Sequence, residues 1–176
     1  MKTVIICATA LLSAGAARAA APSQSYATVG HWEITAEGNQ RCGMTQLFES
    51  KVAEEIEVLS VLYDAQKGVV LSLATNKTKY LLASGTVFLD LGFMRGSLMD
   101  ESWGSQKFDY KKDGKTYLLH HVFTRRADVD RVLRDLSSNE AVSLFLGPTL
   151  VMGLPLNAAG AVEKLCECTL KGAAPS

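Results

Sequence analysis

From Gly30 onward the chain runs in short stretches of Val, Leu, Thr and aromatic residues, each broken by Gly, Asn, Asp or Lys at about the ten-residue spacing of antiparallel strands. Stretches this short cannot bury a helical stripe. They can alternate sides, and a sheet needs nothing more. Trp32 and Ile34 alternate with His31, Glu33 and Thr35, and Cys42 to Phe48 follows across a polar turn at Gly38 and Asn39, predicting a hairpin. Val58 to Tyr63 and Val69 to Ala74 flank Asp64–Gly68 as a second. Phe108 to Lys111 and Tyr117 to Phe123 flank Asp113 and Gly114 as a third. Val87, Leu89, Leu91 and Phe93 alternate with Phe88, Asp90 and Gly92, and Gly147 and Pro148 divide Val142–Leu146 from Thr149–Leu154. The expected fold is mainly β with two helices, an antiparallel β-barrel or β-sandwich.

The helices interrupt this rhythm. Asp128 stands where an N-cap belongs, before Val129, Val132, Leu133 and Leu136, with Asp130, Arg131, Arg134 and Asp135 assigned to the wet side. A second helix is expected from Asn157 to about Cys168, carrying Ala158, Ala161, Val162 and Leu165 on its inner side.

Lys2, an apolar run from Thr3 to Ala17 and the A-x-A site Ala17, Arg18, Ala19 read as a secretory signal over 1–19. A flexible leader over 20–29, a single β-rich domain over 30–170 and a flexible tail over 171–176 complete the expected plan, with a periplasmic or secreted address. No later apolar run reaches the roughly 18 residues of a spanning helix, so no membrane insertion is expected after cleavage. The 18 basic and 18 acidic residues balance, which argues against nucleic acid as a partner.

Export would place Cys42, Cys166 and Cys168 in an oxidising compartment. Two positions apart on a helix, Cys166 and Cys168 point about 200° away from each other, so Cys42 is expected to bond one of them. Helical position leaves both partners open. Such a bridge would contribute about 4 to 5 kcal/mol by restricting the unfolded chain. The spare thiol leaves room for a redox role or an intermolecular disulfide that makes a dimer.

The chain carries no G-x-S-x-G, CxxC, HExxH or glycine-rich phosphate loop, and no catalytic residue, metal ligand or cofactor is assigned. His120 and His121 alternate sides, and His31 stands on the wet side of its strand. Glu54, Glu55 and Glu57 read as a solvated connection. Asp90, Arg125 and Arg126 are the candidate ligand-binding residues: Asp90 shares a strand face with Phe88, and the arginines gather at a helix start. Arg131 and Arg134 lie nearby, among aspartates that offset their charge.

The layout of Trp32, Cys42, an apolar mid-chain sheet and a closing Leu165-x-x-Cys168 helix resembles small uncharacterised periplasmic proteins of proteobacteria. The stretch Cys42, Gly43, Met44, Thr45, Gln46 is similar to the strand after the first tryptophan in the invasion-associated locus B family. The resemblance implies a Cys42–Cys168 bridge, a β-rich fold and a periplasmic address. The expected function is an exported, disulfide-stabilised, non-catalytic module that binds an envelope protein or a small ligand. The alternative is a periplasmic hydrolase or a thiol-redox protein using the spare cysteine. A pocket collecting Asp90, a histidine and an arginine would favour the enzyme.

Overall fold

Alternation governs the sheet from its first strands. The computed structural model describes residues 23–38, 40–50, 55–76 and 84–171; the signal expected over 1–19 and all of the tail expected over 171–176 except Lys171, which ends a helix, lie outside the described residues. The first half runs β1 (Gln24–Val29), β2 (Trp32–Ala36), β3 (Arg41–Ser50), β4 (Glu55–Asp64) and β5 (Gly68–Thr75). The second runs β6 (Ser84–Arg95), β7 (Leu98–Asp113), β8 (Thr116–Phe123), α1 (Arg126–Ser138), β9 (Ala141–Leu146), β10 (Thr149–Pro155) and α2 (Ala159–Lys171). Leu59, Val61 and Tyr63 of β4 and Val69, Leu71 and Leu73 of β5 point to one side and are buried, while the residues between them are half-exposed.

The strands form one antiparallel sheet in the order β1-β2-β3-β4-β5-β8-β7-β6-β9-β10. This corrects the barrel expectation: β1 and β10 each pair on one side only, so hydrogen bonding does not close the sheet among the described residues. A side chain joins its two ends instead. The buried Trp32 indole on β2 donates to the Leu156 carbonyl, just beyond β10, at 3.0 Å. α2 packs on β1, β2, β3 and β4 and touches α1. Tyr26 of β1 donates to Glu167 of α2 at 3.3 Å, and the Cys42–Cys168 disulfide ties β3 to α2 across 126 positions. At the start of β5, Gly68 has φ +100°, and a Cβ there would stand 2.0 Å from the Phe123 carbonyl oxygen, so only glycine lets β5 approach the end of β8.

The remaining differences from the sequence reading have local causes. The leader expected over 20–29 contains β1, whose Gln24–Val29 pairs with β2 through a bulge at Ser25 and Ala27. Glu55 and Glu57 belong to β4 rather than to a connection, and Glu57 is buried; Glu54 lies outside the described residues. α1 starts at Arg126 with Arg125 as its N-cap, which places Asp128 in the first turn. Asp135 is buried with Val132 and Leu136 instead of facing water. Asn157 has φ 43° and precedes α2, which begins at Ala159 and runs to Lys171.

Candidate functional site

β7 and β8 leave their shared turn in register, from Asp113 opposite Thr116 to Asp109 opposite His120. Beyond that pair they part, although β7 reaches back to Leu98 and β8 on to Phe123. Carbonyls of β7 past the parting need donors from elsewhere. Three side chains supply them. The His121 Nδ1 reaches Lys107 O at 2.8 Å, Gln106 Nε2 donates to Trp103 O at 2.6 Å, and Arg131 Nη2 donates to Ser102 O at 3.0 Å. Because a carbonyl can only accept, His121 Nδ1 carries a proton, and whenever the ring is neutral Nε2 keeps a lone pair.

These side chains line a cleft of about 360 Å³ between β7, β8 and the start of α1, together with Phe123, Arg125 and Asp128. Its aromatic wall is fixed by edge contacts: Phe123 meets Trp103 at 4.9 Å and His121 at 4.4 Å between ring centroids. Phe108 backs His121 at 5.5 Å.

Both cations of the cleft are already matched. Asp128 grips Arg125 through two hydrogen bonds, at 2.6 and 3.1 Å, and this pairing raises the arginine above its ordinary pKa. Arg131 lies over Trp103, 4.4 Å from the ring centroid, and donates to Glu101 at 3.0 Å. Its Nε stands 3.5 Å from Asp135 Oδ2, which also accepts the Trp103 indole N–H at 2.8 Å. Burial pushes the Asp135 carboxyl above its ordinary value, as does Glu101; the Trp103 hydrogen bond, Arg131 and Arg134 pull it back.

The structure distributes the expected ligand-binding residues over three places. Arg125 lines the cleft. Arg126 stands on the exposed flank of α1, 3.1 Å from Asp130. Asp90 is exposed on β6, opposite Ser105 of β7 and Phe145 of β9, and the geometry does not bring it to the arginines. The cleft thus has a histidine and two arginines, with Asp128 in the place foreseen for Asp90. Sequence reasoning missed Trp103, Gln106 and Asp135. Only Asp135 left a trace, three residues after the buried Val132 and so on the same helical stripe.

Two further arrangements bear on chemistry. Strand register sets Asp109, His120, Ser72, Ser60 and Thr45 in one row across the sheet, with Thr45 and Ser60 hydroxyls 2.9 Å apart. The backbone of these strands is engaged in the ladder and leaves no pair of N–H groups to hold an oxyanion. Cys166 is a free, half-buried thiol on α2; burial and Asp130 push its pKa up against the opposing pull of Arg126. A thiol so placed holds back the nucleophilic thiolate. Among the described residues no group of three or more His, Cys, Asp or Glu is arranged to hold a metal ion, and no helix is long and apolar enough to cross a membrane.

Among the described residues, an open antiparallel sheet with two helices, stapled by one disulfide and cleft where two strands part, defines the architecture. Among solved structures, it is similar to the crystal structure of invasion associated protein b from Bartonella henselae, with a TM-score of 0.54 over 86% of this chain and 99% of that one. Sequence identity is 14%, so the likeness is one of fold. No family model and no curated protein matches the chain.

Proposed function

We propose that the protein is an exported, non-catalytic binding module of the bacterial envelope that holds its ligand, a small molecule or a segment of an envelope protein, in the cleft between β7, β8 and α1. The observation that carries this reading is the use of the cleft's polar side chains. His121, Gln106 and Arg131 each hold a β7 carbonyl, and Arg125 is clamped by Asp128, so the groups are built in as a fixed frame. A preformed frame with aromatic walls suits recognition. The Cys42–Cys168 bridge supports an address outside the reducing cytoplasm. So does the shared fold with a protein described as invasion associated.

A hydrolase is the second reading, favoured by one observation: His121 Nε2 keeps its lone pair and could serve as a base. The thiol-redox reading is disfavoured by the raised Cys166 pKa. Hydrogen–deuterium exchange tests the proposal, with a bacterial envelope extract separated into small-molecule and macromolecular fractions. Protection of amides over 121–131 by either fraction supports binding. Turnover of a generic ester or peptide that His121→Ala abolishes would replace the binding module with the hydrolase.

A further inference from the structure

We infer that the cleft takes a neutral, hydroxyl-rich ligand, a sugar of one or two rings, accepted by His121 Nε2 and Gln106 Oε1 and met by the Nη1 groups of Arg125 and Arg131. This rests on the reading of the cleft as the ligand site. It follows from which polar atoms the frame leaves over. His121 uses Nδ1 and Gln106 uses Nε2 to hold β7, and no described residue donates to the remaining acceptor of either side chain. Arg125 engages Asp128 through Nε and Nη2. Arg131 engages Asp135 through Nε, and Glu101 and Ser102 through Nη2. Each guanidinium therefore keeps Nη1 without a described partner. The frame leaves over, on residues that line the cleft, a set of two acceptors and two donors with little uncompensated charge.

That set selects by chemistry. An anion finds both arginines already balanced by Asp128, Glu101 and Asp135, and a cation finds the same carboxylates engaged by the arginines. A purely apolar molecule would strip water from four polar groups and return no hydrogen bond. A hydroxyl both donates and accepts, so neighbouring hydroxyls on a ring can satisfy an acceptor and a donor together. The cleft, at about 360 Å³, sits at the small end of the range of roughly 300 to 1,000 Å³ for small-molecule sites, which limits the ligand to one or two rings. The half-buried Trp103 ring supplies the apolar surface for the C–H groups of a sugar, and Phe123, 2% exposed, backs it from behind.

The test is a titration of the isotope-labelled protein with glucose, N-acetylglucosamine, sodium phosphate and phenol, following the Trp103 indole N–H and the Phe123 and Thr124 amides. A saturable shift is expected with at least one sugar and with neither phosphate nor phenol at equal concentration. Gln106→Leu should weaken sugar binding about tenfold, the effect of one lost hydrogen bond of about 1.4 kcal/mol, and Arg126→Ala should leave it unchanged. Gln106→Met, of similar length and without the carbonyl, replaces Gln106→Leu if that variant does not fold. Saturable shifts from phosphate or phenol alone overturn the sugar assignment and leave the binding module standing. Silence of all four probes overturns the sugar assignment, and the binding module falls with it only if the envelope extract also fails to protect 121–131.

Discussion

Trp103 and Asp135 are joined by an indole-to-carboxylate hydrogen bond of 2.8 Å that fixes the back wall of the cleft from beneath α1. Asp135 is 1% exposed, and the same oxygen stands 3.5 Å from Arg131 Nε. One acid thus orients two of the cleft's walls. Asp135→Ala should cost about 1 to 2 kcal/mol through the part-buried indole N–H it leaves unpaired. Asp135→Asn keeps an oxygen for Trp103 and should cost less. Urea unfolding of both variants checks the order; an equal loss from each would show that the carboxylate's charge, and not the indole bond, dominates.

The Trp32 bond to Leu156 makes a comparable prediction at the other side of the molecule. Trp32→Phe retains most of the ring and leaves a buried carbonyl without its donor, which should cost about 1 to 3 kcal/mol. Because that bond joins the sheet's two ends, amide exchange in β10 should rise more than in β4 or β5. Uniform acceleration across the sheet would show that the bond stabilises the whole and does not specifically fasten its margin.

Acid and base limits on stability should come from different carboxylates. Glu167 is held down to about 2 by hydrogen bonds from Lys164 and Lys171. Its folded pKa is depressed, so its contribution is present above the ordinary carboxylate range and disappears as pH falls toward about 2. Asp135 shifts the other way, raised by burial, so its contribution is present in acid and is lost as pH rises through its folded value. A carboxyl-resolved NMR titration should find Glu167 ionised well below the usual range. Asp135→Asn should remove the Asp135 part of the pH dependence of unfolding on the higher-pH limb; an unchanged limb would reject that assignment.

For the disulfide, thiol labelling of the unreduced protein after unfolding should modify Cys166 and spare Cys42 and Cys168. Replacing Cys42 and Cys168 together with alanine should cost about 2 to 5 kcal/mol, whereas Cys166→Ser should have a small effect. Intact mass and denaturant midpoints report both. Labelling of Cys42 and Cys168 as well would mean that the bridge does not form.

How much of this was legible depended on whether burial followed a fixed period. The β4–β5 hairpin, the inward Leu89, Leu91 and Phe93, and the Val129–Leu136 stripe follow from spacing alone, because one face meets the core and the other meets water. The first half of β7 is different. Leu98, Met99 and Asp100 are all exposed and Trp103 is half-buried, so the segment has strand geometry without an alternating pattern. β1 was hidden for a related reason: none of its side chains is fully buried, Gln24, Ser25 and Thr28 being exposed and Tyr26, Ala27 and Val29 half-buried without strict alternation. The bridge partner was undecided by helical angle, which left Cys166 and Cys168 open, and the resemblance implied the pair that is observed. The cleft has no local signal at all. It exists because β7 and β8 diverge after Asp109 and His120, a choice made by packing among residues distant in the chain.

The Cys42–Cys168 link also governs how the molecule comes apart under proteolysis. Any single nick in a loop between those two positions yields two fragments that remain one covalent body. Release of either piece then requires a reductant as well as a protease, so a clipped copy keeps its parts together for as long as its surroundings stay oxidising.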